Sequence, residues 1–248
     1  DKTSEEKAFK DLLNAKILEG AEDGANNGVT TKFKTVRFEN EDSSKPLIIN
    51  DDIVHAILFP THDWGYNTKS KVKNNSIVTL DLGQATIENL TSYTFIQKDN
   101  GNQLANMANL TLPLTKKTSV YSESSESYED KMVLPQVLEH YSNYTPGKGQ
   151  ANLVTVTIPY GYDRLAKMAF YSNAQITTFN LPSSLKLIGE SAFENCGALT
   201  SITLNEGLEN IGKRAFVGTN LTEISFPHSL RIINDAAFAG LKIMDLKF

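Results

Sequence analysis

The residues best suited to chemistry lie in one short polar stretch, "HAILFPTHDWGYNTKSK" from His55. His62 and Asp63 could contribute to a metal site, and Trp64 with Tyr66 could stack against a sugar ring or contact a partner. The spacing matches no standard ligand motif and no third ligand is evident. We therefore favour the alternative that this stretch is a loop, held by the packing of Trp64 across the end of the fold.

No other motif predicts catalysis. The four histidines never form His-Glu-x-x-His, no Gly-x-Ser-x-Gly is present, and "TPGKGQ" around Lys148 lacks the residues of a phosphate loop. Cys196 is the only cysteine, which excludes an internal disulfide framework and a multi-cysteine zinc site. We interpret it as a small buried side chain rather than a reactive thiol. We predict no catalytic residue, no cofactor and no metal.

Length and charge narrow the class of protein. The 248 residues suffice for one large domain or two small ones, and the net charge of −5 provides no basic footprint for nucleic acid. No apolar run approaches the ~20 residues that span a bilayer. The start "DKTSEEKAFK" lacks the basic and apolar segments of a signal peptide.

The elements that could position a binding surface come from a repeated phrase in the last hundred residues. It occurs as "LVTVTIPYGYDRLAKMAFYSNA" from Leu153 and again from Ile176, Leu199 and Leu221, followed by the partial copy "LKIMDLKF" from Leu241. Such a period predicts a solenoid, in which each copy forms one coil. Within the copy from Leu199, alternation predicts that Ile202 and Leu204 point inward and that Ser201 and Thr203 point outward.

Later positions in the phrase predict how the coils stack. A phenylalanine recurs at Phe170, Phe193, Phe216 and Phe238, each preceded by alanine, so we predict a ladder of buried rings. Gly189 and Gly212 follow the isoleucine of two copies, and Asn234 takes that place in a third. Because Gly and Asn tolerate positive φ, we predict a tight turn there.

Looser phrases extend the pattern towards the N-terminus, at "FKTVRF" from Phe33, "VHAILFP" from Val54, "IVTLDL" from Ile77 and "MANLTLP" from Met107. This predicts a capping helix and linker in residues 1–30, irregular repeats in 31–113, an insertion in 114–152 and regular repeats in 153–248. The helix should start after Thr3 or Ser4, stop at Gly20, and present Phe9, Leu12, Leu13 and Ile17 on one face. A short helix is plausible at "LPQVLEHYSNY" in the insertion. The alternative is a separate β-rich domain that ends near residue 150.

The outward strand positions form a candidate binding face. We predict two columns, Thr155, Thr178, Ser201, Glu223 and Thr157, Asn180, Thr203, Ser225, Asp245. Hydrogen bonding along the strands alone would explain the small polar side chains, whereas a shallow polar face could also accept a protein or glycan. The candidate partner-binding residues are therefore His62, Asp63, Trp64 and Tyr66 in the loop and Thr178, Asn180, Ser201 and Thr203 on the face.

The phrases "LTSITLNEGLENIGKRAF" and "ITTFNLPSSLKLIGESAFENC" resemble the BspA-like class of bacterial leucine-rich repeats. The resemblance covers residues 153–246, and over 33–113 the Ile-Gly and Ala-Phe parts are absent. It implies a leucine-rich-repeat solenoid, strand-rich, with a short parallel strand in each coil of about 23 residues.

The function implied by the resemblance is protein binding or adhesion without catalysis, on a bacterial surface or in a secreted protein. The partner would be a protein or glycan on another cell or host surface. Two alternatives stay open: a carbohydrate-binding protein or enzyme with its site around His62, Asp63 and Trp64, and a spacer for another domain. The last strand phrase has no evident cap, and an uncapped strand edge can pair with a second copy, so self-association through the C-terminal edge is a further expectation.

Overall fold

The computed structural model describes residues 2–24, 28–63, 69–71, 73–74, 76–95, 107–122, 125–135 and 153–247. These residues contain α1 (Lys2–Ile17), α2 (Asp51–Leu58) and a turn of 3-10 helix at Ser92–Phe95. The remaining elements are short strands: β1 (Glu22–Gly24), β2 (Gly28–Thr30), β3 (Thr35–Arg37), β4 (Leu47–Ile49), β5 (Thr61–Asp63), β6 (Lys69–Lys71), β7 (Lys73–Asn74), β8 (Thr79–Asp81), β9 (Ala85–Ile87), β10 (Asn109–Thr111), β11 (Thr118–Ser122), β12 (Ser127–Lys131), β13 (Val133–Leu134), β14 (Thr155–Thr157), β15 (Arg164–Leu165), β16 (Thr178–Asn180), β17 (Leu187–Ile188), β18 (Asn210–Ile211), β19 (Glu223–Ser225), β20 (Ile232–Ile233) and β21 (Asp245–Lys247).

One parallel sheet, here called the long sheet, joins the two halves of the chain in the strand order β16-β14-β10-β8-β3. Each strand contributes one central apolar residue to the core and two flanking residues to the outside, as alternation requires. The central residues are Val36, Leu80, Leu110, Val156 and Phe179, aligned by the register of the strands. The phrases at Phe33, Ile77, Met107 and Leu153 thus each lead into a strand of the same sheet. The predicted leucine-rich-repeat solenoid, strand-rich and with an N-terminal helix, is confirmed.

The phrase at Val54 does not form a strand, contrary to the prediction. It lies in α2, where Asn50 caps the helix by accepting a hydrogen bond from the backbone N–H of Ile53 at 3.1 Å. Asp51 and Asp52 occupy the first turn, where carboxylates favour a helix N-terminus. The apolar residues of α2 are buried at helical spacing, so α2 closes the far side of the first coil.

Helix α1 packs against α2 through a narrower face than predicted. Ile17 is buried and Leu13 half-buried, whereas Phe9 and Leu12 remain 49% and 69% exposed. The helix begins at Lys2, so Thr3 and Ser4 lie inside it instead of capping it. Two hydrogen bonds join Asn14 of α1 to the backbone of Thr61. The Asn14 side-chain amide donates to the Thr61 carbonyl at 3.3 Å, and the Asn14 Oδ1 accepts from the Thr61 N–H at 2.7 Å.

A second parallel sheet runs along the far side of the later coils in the order β13-β15-β17-β18-β20. Its inward residues Leu165, Ile188 and Ile211 are fully buried. At the last strand, Ile232 and Ile233 are 50% and 46% exposed. Among the described strands, β20 and β21 each pair on one side only.

The predicted ladder of rings is confirmed, with three rings fully buried and the last, Phe238, half-buried. Phe170, Phe193, Phe216 and Phe238 form successive stacked pairs with centroid distances of 5.5, 5.3 and 5.1 Å and interplanar angles of 13°, 11° and 8°. The alanine before each of the first three rings is fully buried. Small side chains at that position allow successive turns to approach closely, and the rings fill the remaining core.

Gly189 and Gly212 do not adopt positive φ, so the prediction of a tight turn at these glycines is wrong. They are needed because the backbones of neighbouring coils approach closely there. A Cβ on Gly212 would lie 2.5 Å from the carbonyl carbon of Gly189, and one on Gly189 would lie 2.6 Å from the carbonyl oxygen of Ala166. The left-handed residues stand two positions later, at Met168, Ser191, Arg214 and Ala236, with φ between 55° and 59°. Each coil therefore turns on a residue that carries a side chain.

The segment from residue 114 leaves the solenoid as a hairpin and then returns. Leu114 bridges to Thr86, β11 and β12 pair antiparallel, and β13 joins the far-side sheet next to β15. The predicted helix at 134–144 falls almost entirely outside the described residues. Tyr162 of the next coil is buried and donates its hydroxyl to the carbonyl of Pro113 at 2.6 Å, fixing the point of departure.

The other described strands form small sheets: β1-β2-β7, β4-β9, β5-β6 and β19-β21.

Candidate interaction surface

The outward residues of the strands form two columns on one face, here called the strand face. The first column contains Thr35, Thr79, Asn109, Thr155 and Thr178, and the second contains Arg37, Asp81, Thr111, Thr157 and Asn180. In the last coils Glu223 pairs with Asp245 and Ser225 with Lys247. Asp245 therefore belongs to the first column, not the second as predicted, and Lys247 ends the second.

Part of the strand face is occupied by contacts within it. Asn180 donates to the Thr157 hydroxyl at 2.9 Å, and Asn109 donates to the Thr79 hydroxyl at 3.3 Å. At the N-terminal end Arg37 Nε lies 3.0 Å from Asp81 Oδ2. These contacts support the interpretation that the polar side chains bond along the sheet.

The coil of Ser201 and Thr203 interrupts this pattern. Both side chains are exposed, as predicted, with Leu204 buried and Ile202 half-buried behind them. Residues 201–204 form no strand, and among the described residues no hydrogen bond joins their backbone to a neighbouring coil. A cavity of about 410 Å³ opens there, bordered also by residues of β19 and β21. In the interruption, backbone groups without a bond to a neighbouring coil, among the described residues, lie beside small exposed hydroxyls.

The loop candidates are separated from this surface in sequence, and the structure describes only part of them. His62 and Asp63 lie in β5, where their backbones pair with Ser70 and Lys69 of β6. Trp64 and Tyr66 lie outside the described residues. Within the described residues no group of three His, Cys, Asp or Glu side chains could hold a metal ion. The site around His62 therefore stays a prediction.

Sequence reasoning missed an ion pair on the turns, in which Glu194 is buried and Arg214 is exposed. Arg214 donates two hydrogen bonds to the Glu194 carboxylate, from Nη2 to Oε1 at 2.6 Å and from Nε to Oε2 at 3.1 Å. The Ser191 hydroxyl donates to the same Oε2 at 2.7 Å. Hydrogen bonding by Arg214 holds the pKa of the Glu194 carboxyl below its usual value, although burial opposes the shift. The pair joins two successive coils, so it stabilises the stack instead of forming a reactive site.

Cys196 is fully buried beside the rings, where its thiol lies 3.2 Å from the carbonyl of Phe170. Burial raises the pKa of the thiol to about 12. Because thiol chemistry requires the thiolate, this cysteine is suited to packing and not to reaction.

A comparison with protein families agrees with this architecture in the C-terminal part of the chain. Residues 148–248 match the family model described as a BspA type leucine rich repeat region, with six copies. No curated protein sequence matches the chain. No helix among the described residues is long and apolar enough to cross a bilayer.

Three solved structures match. A leucine-rich repeat protein from Bacteroides ovatus is 24% identical, covering 62% of this chain and 38% of its own, with a TM-score of 0.41. A leucine-rich repeat protein from T. pallidum is 17% identical, covering 62% of this chain and 79% of its own, with a TM-score of 0.41. A leucine-rich repeat protein from Eubacterium ventriosum is 18% identical, covering 84% of this chain and 52% of its own, with a TM-score of 0.36.

The family match spans the coils in which the ring ladder, the alanine column and the far-side sheet repeat. These coils are the part of the chain that carries the complete repeat. Residues 148–248 are a BspA-type leucine-rich repeat region.

Proposed function

We propose that this chain is a non-enzymatic interaction module of a bacterial surface or secreted protein, which binds a protein or glycan through its strand face. The observation that carries the proposal is the interrupted coil at Ser201–Leu204, where exposed hydroxyls lie beside backbone groups that form no bond to a neighbouring coil in the described part of the chain. Accessible donors and acceptors on a shallow surface can pair with a partner without a deep pocket. The BspA-type match supports the same class of function.

The composition of the face favours broad contact of modest affinity. Thr178, Ser201 and Thr203 are exposed and small, so little conformational entropy is lost when they are covered. Aromatic anchors, which dominate tight interfaces, are absent from the described outward positions of the two columns. We therefore expect adhesion to depend on many copies acting together more than on one tight contact.

The experiment tests whether this face carries binding. The purified chain is applied to arrays of immobilised extracellular-matrix proteins and glycans, alongside the double variant Ser201→Lys/Thr203→Lys. The control is Ala174→Lys, at an exposed turn position before β16. We expect binding of the parent chain and the control to at least one array member, and loss in the double variant. Equal binding by all three chains, or no binding by the parent chain, would contradict the proposal.

A further inference from the structure

The hairpin between Leu114 and Val133 has two unlike faces. In the antiparallel register Tyr121 pairs with Tyr128 and Ser119 with Asp130, so these four side chains share one face. All four are exposed, with Tyr121 and Tyr128 53% and 74% accessible. On the opposite face Val120, Glu129 and Lys131 are half-buried. The hairpin thus presents a tyrosine face, defined by Ser119, Tyr121, Tyr128 and Asp130, to solvent.

The two rings of the tyrosine face pack against each other. Their centroids are 5.4 Å apart at an interplanar angle of 66°, an edge-to-face arrangement. Such a cross-strand pair stabilises a hairpin, and this contribution alone would explain two aromatic residues. It does not cover them, because more than half of each side chain stays accessible. Rigid, exposed tyrosines supply contact area at a low entropic cost.

A carboxylate that pairs with no cation among the described residues lies on the same face as the rings. Asp130 Oδ1 accepts a hydrogen bond from the Ser119 hydroxyl at 2.8 Å, and no ion pair to Asp130 occurs among the described residues. The nearest lysine in sequence, Lys131, points to the other face and pairs with Glu129 at 2.8 Å. Because alternate residues of a strand are roughly 7 Å apart, the Asp130 carboxylate and the Tyr128 ring can contact the same long side chain.

We propose that the tyrosine face binds an arginine side chain presented by a protein partner. A guanidinium group is planar, so it stacks on a tyrosine ring while donating two hydrogen bonds to a carboxylate. An ammonium group lacks this fork and is more strongly hydrated, so arginine is preferred over lysine. The hairpin lies outside the strand face, and the inference does not rest on the function proposed above.

The test uses the full chain with ¹³C-labelled tyrosine and two synthetic peptides, Ac-Gly-Arg-Gly-Arg-Gly-NH₂ and its lysine counterpart. Tyr121 and Tyr128 resonances are assigned from Tyr121→Phe and Tyr128→Phe. We expect the arginine peptide to shift both resonances in a saturable manner and to bind roughly two- to fivefold more tightly than the lysine peptide. Equal affinity for the two peptides would contradict the proposal, because simple charge attraction would then explain binding.

Variants separate the ring from the carboxylate. Tyr128→Ala and Asp130→Asn should each weaken arginine binding by roughly two- to fivefold. Asp130→Asn keeps an acceptor for Ser119, so its effect does not depend on loss of the hairpin. The control is Tyr160→Ala, since Tyr160 is 76% exposed but lies outside the hairpin. Undiminished binding by Asp130→Asn would overturn the proposal, as would Tyr128-dependent binding to a glycan array with no peptide binding.

Discussion

The regular coils, within residues 153–247, and the early coils, within residues 28–114, share one sheet but close their far sides differently. In the regular coils, tight turns carry the ring ladder next to the far-side sheet. In the early coils the far side is closed by α2 and by the 3-10 turn Ser92–Phe95, each burying a phenylalanine near its C-terminal end. The row of strands thus tolerates large changes in the rest of each coil, because it requires only an alternation of apolar and polar residues.

The two closures differ in the space that they need. Adjacent strands lie ~4.8 Å apart, whereas an α-helix with its side chains is ~10 Å across. Helices on consecutive coils therefore cannot stack at the strand spacing, but turns with small residues can. The glycines and alanines of the regular coils allow this close stacking. At Gly212, for example, an added Cβ would lie 2.5 Å from the backbone of Gly189 in the preceding coil. The regular coils therefore stack through turns of small residues, whereas the helices of the early coils occupy more space along the stack.

The largest expected effect comes from removing a ring of the ladder. Phe193→Ala should lower the free energy of unfolding by roughly 3–5 kcal/mol through lost burial and a cavity. The Phe193 ring packs against three other rings, with centroid distances of 5.5 Å to Phe170, 4.8 Å to Phe179 and 5.3 Å to Phe216. Phe95→Ala in the early coils, also fully buried, provides the comparison in urea denaturation. A loss below about 1 kcal/mol for Phe193→Ala would refute the ladder as a main source of stability.

A smaller effect tests close stacking itself. Gly212→Ala forces a Cβ against the backbone of Gly189, so we expect a loss of roughly 1–3 kcal/mol in the free energy of unfolding. The matched control is Gly197→Ala in the same part of the chain, where an added Cβ meets nothing within 4 Å. This control should be neutral or slightly stabilising, because alanine restricts the unfolded chain. If both variants lose the same stability, the spacing of the coils does not explain the glycines.

The ion pair between coils predicts a dependence on pH. Since the pKa of Glu194 is lowered in the folded state, the unfolded chain binds the proton more readily. The contribution of the ion pair to the free energy of unfolding is fully present above the ordinary glutamate pKa of about 4.3. It is lost as the pH falls through that value and then through the lower pKa of the folded state. Glu194→Gln should cost roughly 1–3 kcal/mol of unfolding free energy at neutral pH and remove this part of the acid sensitivity.

Urea denaturation at pH 7 and in acid measures the effect. The control is Glu190→Gln, which removes a pair with Lys167 of 2.9 Å whose two side chains are 62% and 44% exposed. Exposed pairs contribute little, so this control should change stability by less than about 0.5 kcal/mol. An acid profile of Glu194→Gln identical to that of the parent chain would show that the pair does not act as described.

Sequence alone predicted the features that depend on spacing along one coil. The inward Leu204, the outward Thr203 and the stacked Phe193 follow from periodicity, because identical positions in stacked coils must meet. The features that depend on contact between coils were not predictable. Gly212 suggested positive φ because glycine tolerates it, whereas the actual constraint is the backbone of the neighbouring coil. Arg214 and Glu194 are twenty residues apart and meet only when two coils stack.

Local competition explains the other differences. The phrase at Val54 fits a strand by its apolar spacing, but the cap at Asn50 and the acidic first turn favour a helix. The tyrosine face was not predicted, because residues 114–152 lack the repeated phrase and were interpreted only as an insertion. The sequence signal for it was the antiparallel spacing of Tyr121 and Tyr128 on either side of a polar turn.

The smallest expected effect distinguishes the bonded part of the strand face from its interrupted coil. Thr203→Ala and Thr178→Ala should each change the free energy of unfolding by less than about 0.5 kcal/mol, because both side chains are exposed. Thr157→Ala removes the acceptor of the 2.9 Å bond from Asn180, so it should cost roughly 0.5–1.5 kcal/mol. Urea denaturation of the three variants gives the order. If Thr203→Ala unfolds the protein, its side chain is not on an exposed face, and the surface proposed for binding does not exist in the folded chain.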